Sequence, residues 1–328
     1  MPSSTKPAAS ISLDLDDKWT YMKTHGDPLW KDHPSYLRTV VPRVLSFLEA
    51  RKLMITFFIV GQDAAIKGNR PVLRSIAEAG HEIANHSFHH EPWLHLYGKE
   101  QIEQEIAFAE QWIEYATGEK PTGFRGPGFS VSETVIEALA ARDYVYDAST
   151  LPTFLGPLAR IYYFFNAKLD AKQRHERSLL FGSLKDGLRP LKPHAWRTES
   201  GSLLELPVTT IPILRTPFHL SYLLYLSSFS PRLSEAYLRL AVLLCRWRKV
   251  EPSFLLHPLD FAAPEDAPEL AFFPGMKLSL EHKLAIADST IRVLRNTYEL
   301  TTMSAHALRF WTPPRDKLSA AVQMGPSN

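Results

Sequence analysis

Five of the chain's 13 histidines fall between His81 and His95. Within that stretch runs Asn85-His86-Ser87-Phe88-His89-His90, and His86 and His90 stand four apart, so one helical turn would put both imidazoles on one face. His89 between them points in neither direction. A second run, Asp14-Leu15-Asp16-Asp17, ends in adjacent carboxylates that leave the backbone on different sides. One of the two can bind a cation while the other takes a proton. Two imidazoles and one carboxylate form a three-ligand set with positions left for water and substrate. This is the hydrolytic pattern of Zn²⁺, and the same set can hold Fe²⁺. Water activated by such an ion is a nucleophile near neutral pH.

Two further groups bear on this chemistry. In Phe124-Arg125-Gly126-Pro127-Gly128-Phe129, Arg125 can fix a catalytic carboxylate through paired N–H groups, and Gly128 lets a bare backbone N–H approach a developing oxyanion. In Leu255-Leu256-His257-Pro258, the histidine ends an apolar run, where a general acid for a departing amine can stand.

These groups share a setting. Ile11, Leu13 and Leu15 alternate with Ser12, Asp14 and Asp16, the period of a strand, which puts three polar side chains on one face. A helix carrying Val41, Val44, Leu45 and Leu48 follows, then a buried strand from Met54 to Val60. The alternation continues with a helix after Pro71 that stops at Gly80, a strand at His81–Asn85, and a helix over Lys99–Thr117 that ends at Gly118. Next come a strand at Thr122–Arg125, a helix capped by Ser132 and running to Arg142, and a strand at Tyr144–Asp147. Leu203–Val208, Ser253–His257 and Glu299–Met303 read as later strands, with a helix over Leu278–Asn296 before the last. Such alternation predicts parallel strands with right-handed crossovers and functional residues at strand C-terminal ends. The Pro- and aromatic-rich stretch 151–202, with Tyr162 to Phe165, breaks the rhythm and reads as an irregular insertion over one end.

In this order the clusters resemble the polysaccharide deacetylase family and its NodB homology domain. The likeness runs from about Ser10 to Arg309. The family's Thr-Phe-Asp-Asp-Gly-like strand end is similar to Asp14-Leu15-Asp16-Asp17-Lys18, which implies Asp16 as catalytic base and Asp17 as metal ligand. Its His-Ser/Thr-x-x-His motif resembles His86 to His90, implying both histidines as ligands. Its Arg-x-Pro motif matches Arg125-Gly126-Pro127. Its Leu-x-His motif resembles Leu255 to His257 and implies His257 as general acid, with Asp147 supporting it. Lys18 stands where the family has Gly, Glu91 intervenes before Pro92, and Asp14 adds a third carboxylate suited to a supporting or substrate contact.

The resemblance implies an α/β fold, a distorted (β/α)7-type barrel, with a flexible tail at 1–9, one catalytic domain at 10–310 and a C-terminal tail at 311–328. It also implies a Zn²⁺-dependent hydrolase that removes an N-acetyl group from a carbohydrate or a lipid-linked sugar. The rivals are an amide or formyl hydrolase acting on a small substrate and a non-catalytic glycan-binding barrel.

Composition limits the partners. Across 328 residues, hydrophobic side chains make up 45% and charged ones 22%, which excludes a disordered or collagenous chain. Lys and Arg number 37 against 35 Asp and Glu, so no overall field favours nucleic acid. The single cysteine, Cys245, lies in an apolar helical stretch and reads as packing. Met1–Ser10 lacks the apolar region of a secretory signal, so the expectation is a cytoplasmic protein. Leu220 to Trp247 is interrupted by charge and does not read as a membrane span. Its aromatic and aliphatic residues, with Arg232, Arg239, Arg246, Arg248 and Lys249, suit a peripheral contact with the inner membrane face.

Overall fold

The fold is taken from a computed structural model, which describes residues 6–155 and 184–310. The first strand, β1 (Ala8–Leu15), is buried along its whole length. Its alternation sorts two interiors rather than a core and a solvent face. Ile11, Leu13 and Leu15 enter a large apolar core, while Ser12 and Asp14 face the other way. After Asp17 come α1 (Lys18–His25) and then α2 (Leu37–Glu49), whose Val40, Val41, Val44 and Leu48 pack into that core. Pro42 lies inside α2, where it gives up the hydrogen bond an N–H there would make to the Arg38 carbonyl.

The order continues with β2 (Thr56–Ile59), the short α3 (Gly61–Ala65), α4 (Arg70–Glu78) and β3 (Glu82–Asn85). Then come α5 (Lys99–Thr117), β4 (Gly123–Phe124), α6 (Glu133–Ala141) and β5 (Tyr146–Asp147). Helix α5 has the predicted bounds and stops at Gly118, whose φ of 87° lies in the left-handed region where glycine has no steric penalty. Ser132 caps α6 by accepting a hydrogen bond from the Val135 N–H.

Within the predicted irregular stretch 151–202, residues 156–183, and with them Tyr162 to Phe165, lie outside the described residues. The rest of it is more ordered than expected. β6 (His194–Thr198) forms an antiparallel hairpin with β7 (Gly201–Glu205). The remaining elements are α7 (Leu220–Ser227), α8 (Pro231–Arg248), β8 (Ser253–Leu256), α9 (Leu280–Thr297), β9 (Glu299–Thr301) and α10 (Met303–Ala307). Cys245 is fully buried in α8, and burial pushes its thiol up to about 12, in keeping with packing rather than reactivity.

The sheet runs β6-β7-β5-β4-β3-β2-β1-β8, with β9 also on β1, and every pair except β6–β7 is parallel. Among the described residues no strand ladder closes it into a complete barrel. Beyond β7, Thr209 makes two hydrogen bonds with Ser253 at the start of β8, and these link the two sides. The register aligns Leu15 with Ile59, Ile59 with Asn85, Asn85 with Phe124, Phe124 with Asp147 and Asp147 with Glu205. One residue past this line stand Asp16, His86 and Arg125. On the other side of β1, Leu13 pairs with Leu256, which sets His257 at the level of Asp14. Parallel register therefore delivers the predicted groups to one end of the sheet.

Candidate metal centre and active site

His86 follows β3 and is buried. Its Nδ1 donates to the Arg125 carbonyl at 2.6 Å, which can only accept, so the Nε2 lone pair is left to face the centre. His86 Nε2 and His90 Nε2 lie 3.5 and 3.0 Å from the same oxygen, Asp16 Oδ1. Among the described residues these three form the one cluster of histidine, cysteine and carboxylate groups compact enough to hold a metal ion.

The two imidazoles do not sit on a helical turn. Ser87 and His90 adopt left-handed φ values of 60° and 51°, and the rings meet at 68° with centroids 5.1 Å apart. The turn is held from outside. The Asn85 side chain accepts from the Ser87 N–H at 2.8 Å, and Glu105 of α5 accepts from the N–H groups of Phe88 and His89. Glu105 also bonds the His89 ring, turning that half-exposed side chain away from the centre.

The carboxylate beside the histidines is Asp16. The resemblance assigned that place to Asp17, and the difference has a local cause. Asp17 is the N-cap of α1: its Oδ1 accepts from the Lys18 N–H at 2.7 Å and the Tyr36 N–H at 3.1 Å, which turns the carboxyl from the histidines. Burial raises the Asp17 pKa. For Asp16 burial acts in the same direction, but the charges and contacts of His90 and His86 outweigh it and hold that carboxyl well below the usual carboxylate range. Burial opposes charge on His86 too, and the charge of Asp14 with the contact to Asp16 overcomes it, so its pKa is raised.

The donor set fits a divalent cation. Asp16 Oδ1 and His90 Nε2 are buried and in contact, yet neither makes a hydrogen bond of acceptable geometry, and His90 Nδ1 is unpaired as well. Buried polar atoms left without hydrogen bonds are costly unless something else satisfies them. A carboxylate oxygen and two imidazole nitrogens converging on one point are the ligands such an ion takes.

Asp14 sits beside this cluster. Its Oδ1 accepts from Arg125 Nη1 at 2.5 Å, and Nη1 also donates to Ser12 Oγ at 3.0 Å. Arg125 is fully buried, its Nε donates to the Ala148 carbonyl, and its guanidinium lies 4.2 Å from the centroid of Phe58. The contact with Asp14 uses Nη1 alone rather than the paired arrangement the sequence suggests; Nε is taken by the backbone and Nη2 is left without a hydrogen bond. Gly128 has φ 60°, and a Cβ there would stand 3.0 Å from Pro92 Cβ, so both backbone and space favour glycine.

His257 follows β8 as expected, but Asp147 does not support it. Asp147 accepts from Ser149 Oγ at 2.5 Å and from the Ser149 N–H. Burial and the neighbouring Glu205 push its pKa well above the usual carboxylate range. The neighbours of His257 are ones the sequence reading missed: Ser221 Oγ of α7 is 3.0 Å from Nδ1, Asp260 accepts from the His257 N–H at 2.8 Å, and the His219 ring lies 5.8 Å away. Burial, with the charge of His257, lowers His219 to about 3. Trp19 was also missed. Its indole donates to buried Asp63 at 2.9 Å, and its ring stands edge-on to His90.

The family profile described as polysaccharide deacetylase matches residues 4–146, the segment that carries Asp14, Asp16, His86, His90 and Arg125. Residues 4–146 are a polysaccharide deacetylase domain. Over 111 residues the chain is 28% identical to a peptidoglycan deacetylase of Helicobacter pylori, covering 34% of this chain and 37% of that one. Over 103 residues it is 30% identical to a peptidoglycan-N-acetylmuramic acid deacetylase of Bacillus subtilis, covering 31% and 38%. The chain thus spans well under half the length of these curated relatives. A solved structure of a candidate polysaccharide deacetylase from Mycobacterium smegmatis superposes with a TM-score of 0.62 at 18% identity, over 95% of this chain and 94% of that one. The deacetylase fold therefore extends beyond the segment matched in sequence, and the open barrel is that fold.

Proposed function

We propose that this deacetylase-family chain removes an N-acetyl group from a carbohydrate or a lipid-linked sugar by metal-dependent hydrolysis. The observation that carries the reading is the convergence of Asp16, His86 and His90 on one point, with buried atoms left unpaired, beside the Asp14–Arg125 pair. A divalent ion held by these three residues, Zn²⁺ in our reading, would supply the Lewis-acid charge that acidifies water and polarises an amide carbonyl.

The rest of the chemistry falls to the chain's own groups. With Asp16 committed to the histidines, the base role implied for it passes to Asp14, whose carboxylate is fixed by Arg125 and is free of backbone capping. Asp14 takes the proton of the attacking water. In this reading the Gly128 N–H would meet the oxyanion as the carbonyl carbon becomes tetrahedral. His257 gives a proton to the amine as the C–N bond breaks, leaving acetate and a free amino sugar. The N-acetylated glycan class is supported by the names of the two relatives, both peptidoglycan deacetylases.

The test is a substrate panel: soluble N-acetyl oligosaccharides, lipid-linked N-acetyl sugars, N-formyl analogues and small amides, with acetate and formate measured directly. Acetate from the glycans is expected. Formate or small-amide products in its place would reassign the substrate, and binding of glycans with no product would favour a non-catalytic barrel.

A further inference from the structure

Helix α8 has two apolar faces, and among the described residues only one is covered. Leu238, Ala241, Val242 and Cys245 pack into the core. On the outer side Leu233, Leu240, Leu243 and Trp247 recur at the spacings that keep one helical stripe, with Leu243 and Trp247 62% and 65% exposed. Phe229, 68% exposed in the turn before the helix, and Tyr225 extend the stripe onto α7. Leu220, Leu223 and Leu224, which belong to the run expected to meet a membrane, are buried instead. The helix has one carboxylate, Glu235, already bonded to Arg239. Arg232, Arg239 and Arg246, seven apart, form a ridge alongside the stripe, and Arg248 and Lys249 stand at its C-terminal end.

We propose that this face of α8 docks on an anionic lipid bilayer. Leucine side chains would enter the acyl boundary and Trp247 would lie at the headgroup level. The arginines would keep their charged ends in the phosphate layer, as long amphipathic side chains do. Charge complementarity selects the bilayer over a second copy of the chain. A two-fold contact along α8 would set the arginine ridge against itself with no free carboxylate on the helix to offset it, whereas anionic headgroups neutralise every cation in the row. The docking helix is also tied to the site: Ser234 of α8 donates to the Leu223 carbonyl of α7 at 2.8 Å, and Ser221 of α7 touches His257. A chain held by α8 would thus work on substrate presented at the same surface.

The test is flotation of the full chain with vesicles of phosphatidylcholine alone and of phosphatidylcholine with about 30% phosphatidylglycerol, at low and high salt. No substrate is present, so the outcome is separate from that of the hydrolytic assay. The chain is expected to float with the anionic vesicles and to be released by salt. Leu243→Glu with Trp247→Glu should abolish flotation while thermal melting and hydrolysis of a soluble substrate stay unchanged. Arg232→Gln with Arg239→Gln and Arg246→Gln should weaken anionic binding by about 100-fold. Wild-type protein that stays in the soluble fraction with both compositions, or binds both equally, would overturn the proposal. So would a concentration-dependent dimer that Leu243→Glu dissolves, which would assign the stripe to a second copy.

Discussion

Asp16 and Asp17 are chain neighbours with opposite surroundings, one facing two imidazoles and the other holding the first turn of α1. Substitutions should separate these roles. Asp16→Asn and His86→Ala are expected to lose stoichiometric metal in elemental analysis, because each removes one of three ligands. Asp17→Ala should keep the metal and lose about 1 kcal/mol of stability, the usual scale of an N-cap. Asp14→Asn should keep the metal while turnover falls by about 10²-fold or more, the scale of a positioned general base, and it should lower stability because it leaves the buried Arg125 without its anion. Arg125→Gln breaks the same pair from the other side. It leaves the Asp14 carboxylate buried beside an incomplete partner, a loss that typically costs ~3–5 kcal/mol in denaturant unfolding. Residue types and spacing were enough to place His86, His90 and the Asp14–Asp17 run at the centre. Which carboxylate faces the histidines was not legible, because it depends on where β1 ends and α1 begins, and that is fixed by the Tyr36 N–H from a distant part of the chain.

At the level of elements, the turn between β3 and α5 decides the ligand geometry. Left-handed Ser87 and His90 would be strained in isolation, and the Glu105 and Asn85 bonds over-determine them. Glu105→Ala should therefore weaken metal affinity by about 10–100-fold, the range for groups that orient ligands, with little change in helix content. Isothermal titration and circular dichroism together check this, and unchanged affinity would show the turn to be self-supporting. Helix α3 imposes a steric limit nearby: a Cβ on Gly61 would come within 2.6 Å of the Ala109 Cα in α5. Strands and helices with a clear period, such as β1, α5 and α9, were legible because burial on one face sets the pattern. Strand β6 was not, since its residues alternate between exposed and half-buried at the sheet edge and carry little apolar signal.

Over the whole molecule, parallel register carries residues scattered from Asp14 to His257 to one end, and the same register buries Asp147 next to Glu205. Because burial and Glu205 raise the Asp147 pKa, the folded state holds that proton more tightly than the unfolded chain. The stabilisation is full below the unfolded pKa of about 3.9 and is lost as pH rises through the raised value. Thermal melting of the wild type should accordingly fall more between about pH 5 and pH 9 than that of Asp147→Asn, and parallel curves would show that the carboxyl is ionised in the fold. The barrel class was readable from the strand-helix rhythm, whereas its incomplete closure rests on Thr209 and Ser253, two small polar residues with no pattern to announce them. The central claim is most directly tested by titrating Zn²⁺ into metal-free protein while recording acetate released from an N-acetylated oligosaccharide. Acetate release should rise with metal and level off at one equivalent. One equivalent bound with no acetate from any N-acetylated glycan, or release unaffected by removing the metal, would contradict it.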